Sequence, residues 1–444
     1  MFANGFYLFA CLVTLILLFF QVQQPYRPGV FTLILVQHIL QIIASVIQAD
    51  YLGENINYRS MENSTAIMLS LVGMVFLFAP ILYFQNKLPR VNLQDLRNSA
   101  SSLSTEKCMY FYIVAFFISS SLGAVAFLFS NLTQIIFSLV KIKWLLLLLF
   151  GFLSIIKNEK KSFFYIFLGI EFVLGFFSYF SEFKTVIYYF LVLLVTFMVT
   201  INFKYIMYSL LIGTVFLIFV LVWTSVKSEY RSFLNAGSGK QTVTVSRDDA
   251  LNKLYDLSNK VDESNVEGAT KGFLDRLQYT YHFAKTIERV PSVIPYQQGD
   301  NWLSVLEYTT TPRFFNPDKP TVDNSVKTSK YTGIPYARAD KGVSFSLGYF
   351  AECYVDFGYL GMMIPLFLLG LLYGKLNQYF ITKATPNLLF NYAVTCSFFF
   401  EFYGYEMDAT ILIGRLFASL LTYALLIKFV FPLFYNALKI NPNP

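Results

Sequence analysis

Runs of about 20 apolar residues, almost free of charge, recur along this chain, and nothing else in the sequence restricts its fold so strongly. A helix of that length crosses the hydrocarbon core of a bilayer with its backbone hydrogen bonds satisfied internally. Such runs fall near 5–21, 29–48, 65–86, 108–129, 132–156, 162–181, 185–202, 205–225, 357–376, 387–404 and 409–431. The sequence therefore predicts an all-α polytopic membrane protein with about 11 transmembrane helices. Only 14% of the 444 residues are charged, against roughly a quarter in a soluble domain. The run beginning near Phe6 follows no basic region and precedes no small-residue cleavage site, so it reads as a first helix that is retained.

The charges are concentrated. Of the 34 Lys and Arg and the 27 Asp and Glu residues, 30 lie between Lys227 and Lys341, 16 basic and 14 acidic. Segment 226–346 is thus too polar for lipid. It is expected to form a large, partly helical external loop domain between helices 1–8 (residues 1–225) and helices 9–11 (residues 347–444). Basic residues in the short loops give the orientation. With the amino terminus outside, the inner loops hold Arg27, Lys87, Arg90, Arg97, Lys107, Lys157, Lys160, Lys161, Lys204, Lys375, Lys383, Lys428 and Lys439, and the short outer loops only Arg59 and Lys184. The net charge of +7 therefore reflects loop bias rather than nucleic-acid binding, because the polar segment is nearly balanced.

Three cations fall inside expected spans: Lys141, Lys143 and Arg415. Charges there are costly and are usually paired or face a wet cavity. Glu171 is expected to neutralise Lys141 or Lys143, and Arg415, near the outer end of its helix, to reach an external cavity. His38, Gln41 and Gln48 form a polar stripe read as hydrogen bonds to neighbouring helices. The four cysteines show no pairing or metal-ligand spacing and read as small buried residues.

Within the polar segment, 249–264 and 269–290 have helical periodicity. On the second, Gln278, His282, Lys285 and Arg289 share one face, with Arg276 between that face and an apolar one. The run TPRFFNPDKP (311–320) sets Arg313 and Lys319 among three prolines that stiffen the backbone, and Arg338 follows. Cations gathered at a membrane face suit a phosphate-bearing ligand, and they bind anionic lipid head groups equally well. Glu352 and Asp356, one turn apart beside Tyr349, are candidates for a general base or for salt bridges to Arg313 or Arg338. Gly358 and Gly361 are expected to let that helix pack closely on a neighbour.

This order of many helices, a large polar loop, PR…PDKP (312–320) and G…AECYVDFGYLG (348–361) resembles the Wzy-type polymerases of bacterial surface polysaccharides. SEFKTVIYYFLVLL (181–194) resembles the serine-then-basic start of a helix in that family and in the O-antigen ligases, with Lys184 where arginine is usual. The resemblance implies a GT-C-like glycosyltransferase of the bacterial inner membrane that uses no metal and no nucleotide-sugar cofactor. The implied donor is a growing glycan on undecaprenyl diphosphate, and the acceptor is one oligosaccharide repeat unit on a second lipid diphosphate. It further implies that Arg276, Arg289, Arg313, Lys319, Arg338, Arg415 and Lys184 hold the diphosphate or glycan, and that Glu352 or His282 serves the acceptor hydroxyl. A flippase and a chain-length regulator are expected partners beside the bilayer itself. Two rival readings are an O-antigen ligase and a lipid-linked oligosaccharide flippase. Against the flippase stand the odd helix count and the single lopsided polar segment.

Overall fold

The computed structural model describes residues 4–125, 136, 139–177, 182–198, 203–237, 243–261, 263–311, 316, 319, 322–338 and 344–440. The described chain is mostly helical, without strands apart from one isolated bridge between Leu103 and Lys439. The first helices are α1 (Gly5–Val22), α2 (Val30–Leu52), α3 (Asn63–Asn86), α4 (Leu93–Ser101) and α5 (Thr105–Val125). Then come α6 (Ile142–Lys157), α7 (Lys161–Leu174), α8 (Phe183–Thr196) and the long α9 (Phe203–Leu234). The polar segment contributes α10 (Arg247–Asn259), α11 (Glu263–Leu277), α12 (Thr280–Arg289), α13 (Asp300–Thr310) and α14 (Asn324–Thr332). The chain ends with α15 (Tyr349–Gly361), α16 (Met363–Lys383), α17 (Leu388–Phe399), α18 (Ala409–Leu425) and α19 (Phe431–Leu438).

Four of the described helices are long and apolar enough to cross a membrane: α1, α2, α3 and the continuous stretch Ala409–Leu438. A fifth is obtained if α15 and α16, bent by 114° at their junction, are taken as one broken span. The expected count of eleven is therefore not supported, and the reasons are local. At about 1.5 Å per residue, the 14 residues of α7 and of α8 cover only about 21 Å of a core about 30 Å thick. The chain turns after α7 because Gly175 lets it close against the backbone of Phe183, where any Cβ would collide. Gly358, at φ +67°, takes a conformation that suits glycine and bends α15 into α16. The expected close packing through Gly358 and Gly361 is thus replaced by a kink.

Close helix packing falls to other glycines. Gly370 and Gly374, one turn apart on α16, lie directly on α3. A Cβ on Gly374 would sit 2.6 Å from Phe84 and 3.0 Å from the Pro80 carbonyl, and one on Gly370 would strike the Leu77 carbonyl. Two small residues four apart let helix backbones approach in this way. The stripe on α2 behaves as expected. His38 bonds Tyr349 Oη at 2.8 Å, Gln41 accepts from the Tyr405 amide, and Gln48 donates to Asp275. Glu171 pairs with Lys143 at 2.9 Å, while Lys141 pairs with Glu401. All four cysteines are buried and unpaired.

The periodic stretch 269–290 is not one helix. It breaks at Gln278–Tyr279 into α11 and α12, and Gln278 is buried rather than on a solvated face. The polar segment docks on the ends of the bundle helices through specific contacts. Arg59 binds Asp275 at 2.6 Å and lies over the Tyr281 ring, and Glu288 accepts from Ser60 and Met61.

Candidate functional site

Two groups of charged side chains stand out where the polar segment meets the bundle. The first is acidic and closed. Glu352 on α15 is completely buried. Its Oε2 accepts from Lys327 Nζ at 2.8 Å and from Asn301 Nδ2 at 3.2 Å, and its Oε1 accepts from the Ala409 amide at 3.0 Å. Asp408 caps the start of α18 through the Thr410 amide and meets the same Lys327 amine at 3.0 Å. Burial pulls Lys327 toward its neutral form, but the two carboxylates outweigh it and push its pKa up to about 12. One lysine from α14 thus ties the polar segment to two helices of the bundle. Asp356, the second carboxylate of the pair read from sequence, accepts from the Trp302 amide at 2.8 Å and so caps α13.

The second group is basic and open. Lys184 stands at the start of α8, Lys227 and Arg231 lie four residues apart near the end of α9, and exposed Arg276 ends α11. An aromatic floor joins α8, α9 and the turn after α7. Phe183 meets Trp223 at 5.2 Å, Trp223 meets Tyr230 at 5.8 Å, and Tyr230 donates to the Phe176 carbonyl. Lys184, Lys227 and Arg231 are each next to, or one turn from, a residue of that floor. Burial and the charges of Arg231 and Arg276 lower the pKa of Lys184. Burial together with Arg231, Lys184 and Arg276 lowers that of Lys227 to about 7. Arg415, exposed on α18, is within electrostatic reach of Tyr403, whose ring packs on Tyr188, one turn along α8 from Lys184. A cavity of about 370 Å³ opens nearby, with Lys143, Glu171, Glu182 and Arg247 in its lining.

Lys184 and Arg276 are thus within electrostatic reach of each other, and Arg415 is within reach of Tyr403. The structure does not add the other expected cations. Arg289 donates to the Lys330 carbonyl at 3.0 Å and lies against Gly333, closing the end of α14. Lys319 donates to the Tyr308 and Thr311 carbonyls and lies over the Tyr308 ring, closing the end of α13. Arg338 is exposed, and Arg313 lies outside the described residues. Glu352 has both oxygens occupied by Lys327, Asn301 and Ala409, where the sequence offered Arg313 or Arg338 as partners. Sequence reasoning missed Lys327, Asp408, Lys227 and Arg231. The last two were legible only as an i, i+4 pair on a helix continuing past residue 225.

His282 bonds Tyr336 Oη at 2.8 Å between the rings of Tyr279 and Tyr281. Burial, with a smaller push from Arg59, lowers its pKa to about 4. The folded protein therefore binds fewer protons here than the unfolded chain. Stability from this group is fully present above about pH 6.5 and is lost as pH falls toward 4. The loss is about 2 kcal/mol, allowing for partial exposure. Unfolding measured from pH 7 to 4.5 should show this acid weakening in the parent and much less of it in His282→Gln. Equal weakening in both would refute it.

Four helices long and apolar enough to cross a membrane, with a docked polar segment and a basic group at their junction, fit a helical membrane protein. The chain belongs to the family described as "Domain of unknown function (DUF8712)", which matches residues 68–431. No curated protein and no solved structure matches it.

Proposed function

We propose that this protein is a membrane glycosyltransferase that polymerises undecaprenyl-diphosphate-linked oligosaccharide repeat units into a bacterial surface polysaccharide. The observation that carries the reading is the basic cluster of Lys184, Lys227, Arg231 and Arg276, beside helices that offer exposed apolar side chains such as Leu191, Leu194, Phe417 and Leu421 to lipid. A lipid diphosphate has that pairing of an apolar tail and a doubly charged head. The oxygen of an acceptor hydroxyl attacks the anomeric carbon, the bond from that carbon to the diphosphate breaks, and the hydroxyl proton passes to a base. The leaving lipid diphosphate takes the electron pair, and fixed cations stabilise the charge it gains. The reading puts 226–346 on the external side of the inner membrane, with a flippase before this step and a chain-length regulator beside it.

The test is the product. Deleting the chain should leave glycan one repeat unit long at the surface where a ligase is present, with long polymer gone. A charge-assisted hydrogen bond to phosphate is worth about 1.5–3 kcal/mol, so the double variant Lys184→Ala/Arg276→Ala should lower polymer yield by at least about tenfold at unchanged protein level. Long polymer that persists on the lipid carrier after deletion would point to a ligase. Units trapped inside the cell would point to a flippase. Either result defeats the polymerase reading, as does normal polymer in the double variant.

A further inference from the structure

Helix α13 belongs to the polar segment, yet along one edge it exposes Leu303 and Leu306, 54% and 46% open. With exposed Thr310 they follow the spacing i, i+3, i+7 and form one strip. Ser304, Glu307 and Thr311, at the same spacing and also exposed, form the strip beside it. The opposite side is closed, because Val305 is buried in the core and the helix packs along α18. So α13 meets its surroundings with an apolar edge next to a polar one.

The junction of α15 and α16 sets the level of this helix on the bundle. With a bend of 114°, α15 runs nearly across the direction of α16, so the junction marks the end of the broken span. There α13 is fixed. Asp356 accepts from the Trp302 amide at 2.8 Å and from the Asn301 amide at 3.3 Å, and the Gln297 and Gln298 amides donate to the Val355 and Asp356 carbonyls at 3.0 Å. A Cβ on Gly299, which caps α13, would lie 3.5 Å from the Phe357 ring. From this level two exposed apolar strips run away along the bundle at i, i+4, i+8. One is Leu360, Ile364 and Leu368 beyond the Gly358 kink, and the other is Phe417, Leu421 and Leu425 on α18. Tyrosines gather at the same junction, with ring centroids of Tyr296 and Tyr354 at 5.8 Å and of Tyr354 and Tyr359 at 5.2 Å. Tyrosine is enriched where a bilayer meets water.

We propose that α13 is an interfacial helix that lies in the plane of the membrane, with Leu303 and Leu306 among acyl chains and Ser304, Glu307 and Thr311 among head groups. Its partner is the phospholipid leaflet on the side of the polar segment. The inference rests on α18 crossing the membrane and is independent of the chemistry proposed above. Amphipathic helices of this kind sink their apolar edge about 5–10 Å into the boundary between head groups and chains. Here that edge continues the two strips of α16 and α18, so one apolar surface passes from the membrane helices onto the polar segment. The polar segment is then held in two ways, to the bundle by Lys327 and to the lipid by α13. Burying Leu303 and Leu306 in acyl chains removes from water the apolar area that a helix outside the leaflet would leave exposed.

The experiment uses the full chain in vesicles of phosphatidylethanolamine and phosphatidylglycerol. Leu303→Cys, Leu306→Cys, Glu307→Cys and Thr311→Cys each carry a nitroxide label, with Leu421→Cys on α18 as the lipid reference. The four native cysteines are buried, so the parent treated with the label serves as the blank. Collisions with oxygen, which concentrates among acyl chains, are compared with collisions with a water-soluble nickel chelate. The oxygen-to-nickel ratio at 303 and 306 should approach that at 421 and exceed that at 307 and 311 several-fold. A ratio at 303 or 306 no higher than at 307 places that edge in water and overturns the proposal. Low collision rates with both reagents at 303 and 306 mean that protein, a second copy or another chain, covers the edge, and that also overturns it. Nickel collisions dominating at 421 remove the premise that α18 crosses the membrane, and the proposal falls with it.

Discussion

Lys327→Met is expected to destabilise the protein by about 3–5 kcal/mol, because it strands two buried carboxylates that share one cation. Glu352 and Asp408 are fully buried and the lysine amine lies 2.8 Å and 3.0 Å from them. Methionine keeps most of the apolar stem, so the loss is that of charge and not of packing. Thermal unfolding in detergent should register the change, together with earlier proteolysis of the polar segment, which α14 helps to hold. The triple variant Lys327→Met/Glu352→Gln/Asp408→Asn should recover much of the loss, since no isolated charge then stays buried. In the single variant the deficit should narrow as pH is lowered, because a proton on either carboxyl removes unpaired charge. A Lys327→Met protein within about 1 kcal/mol of the parent would show that the triad does not hold the segment to the bundle.

That triad also shows where the sequence stopped being readable. Transfer of a helix into lipid depends on its own composition, so α1, α2, α3 and the 409–438 stretch could be read from apolar runs alone. The hydrogen bonds of His38, Gln41 and Gln48 followed from the same logic, since a polar stripe in lipid must find partners. Lys327, in contrast, lies in the unremarkable stretch NSVKTSK, and its partners are 25 and 81 residues away. No local pattern announces such a pairing. The periodicity of 269–290 hid a break because a polar helix can pause at Gln278 without disturbing its apolar spacing. The failure of several expected spans has a similar root. Apolar composition does not say where Gly175 will turn the chain or where Gly358 will take a positive φ. The basic cluster was half legible: Lys184 and Arg276 were singled out separately, but only the packing of Phe183 on Trp223 sets the start of α8, with Lys184, against the α9 helix that carries Lys227 and Arg231.

Gly370→Leu should be the most damaging single change in the membrane helices. The α3–α16 contact is made backbone to backbone, with Gly370 against the Leu77 carbonyl and Gly374 against Pro80 and Phe84. Within lipid there is little hydrophobic gain from bringing two apolar helices together. Their association depends on close packing that small residues permit. A Cβ at 370 meets a carbonyl oxygen, which cannot swing away as a flexible side chain would, so the helices must separate along their length. The same separation would disturb α15, because Gly73 on α3 packs against Phe350 and Leu366. The milder Gly370→Ala should cost about 2 kcal/mol or more, in the range of overpacked cores, and Gly370→Leu should leave little folded protein in the membrane fraction. Gly414→Ala on α18 is the control. It lies in a helix with no heavy atom within 4 Å of the added methyl, and alanine favours helix over glycine by about 1 kcal/mol. Folded yield and resistance to SDS-induced unfolding should therefore fall steeply with Gly370→Ala and hold or rise with Gly414→Ala. Equal behaviour of the two variants would mean that the α3–α16 contact is not what holds the bundle together.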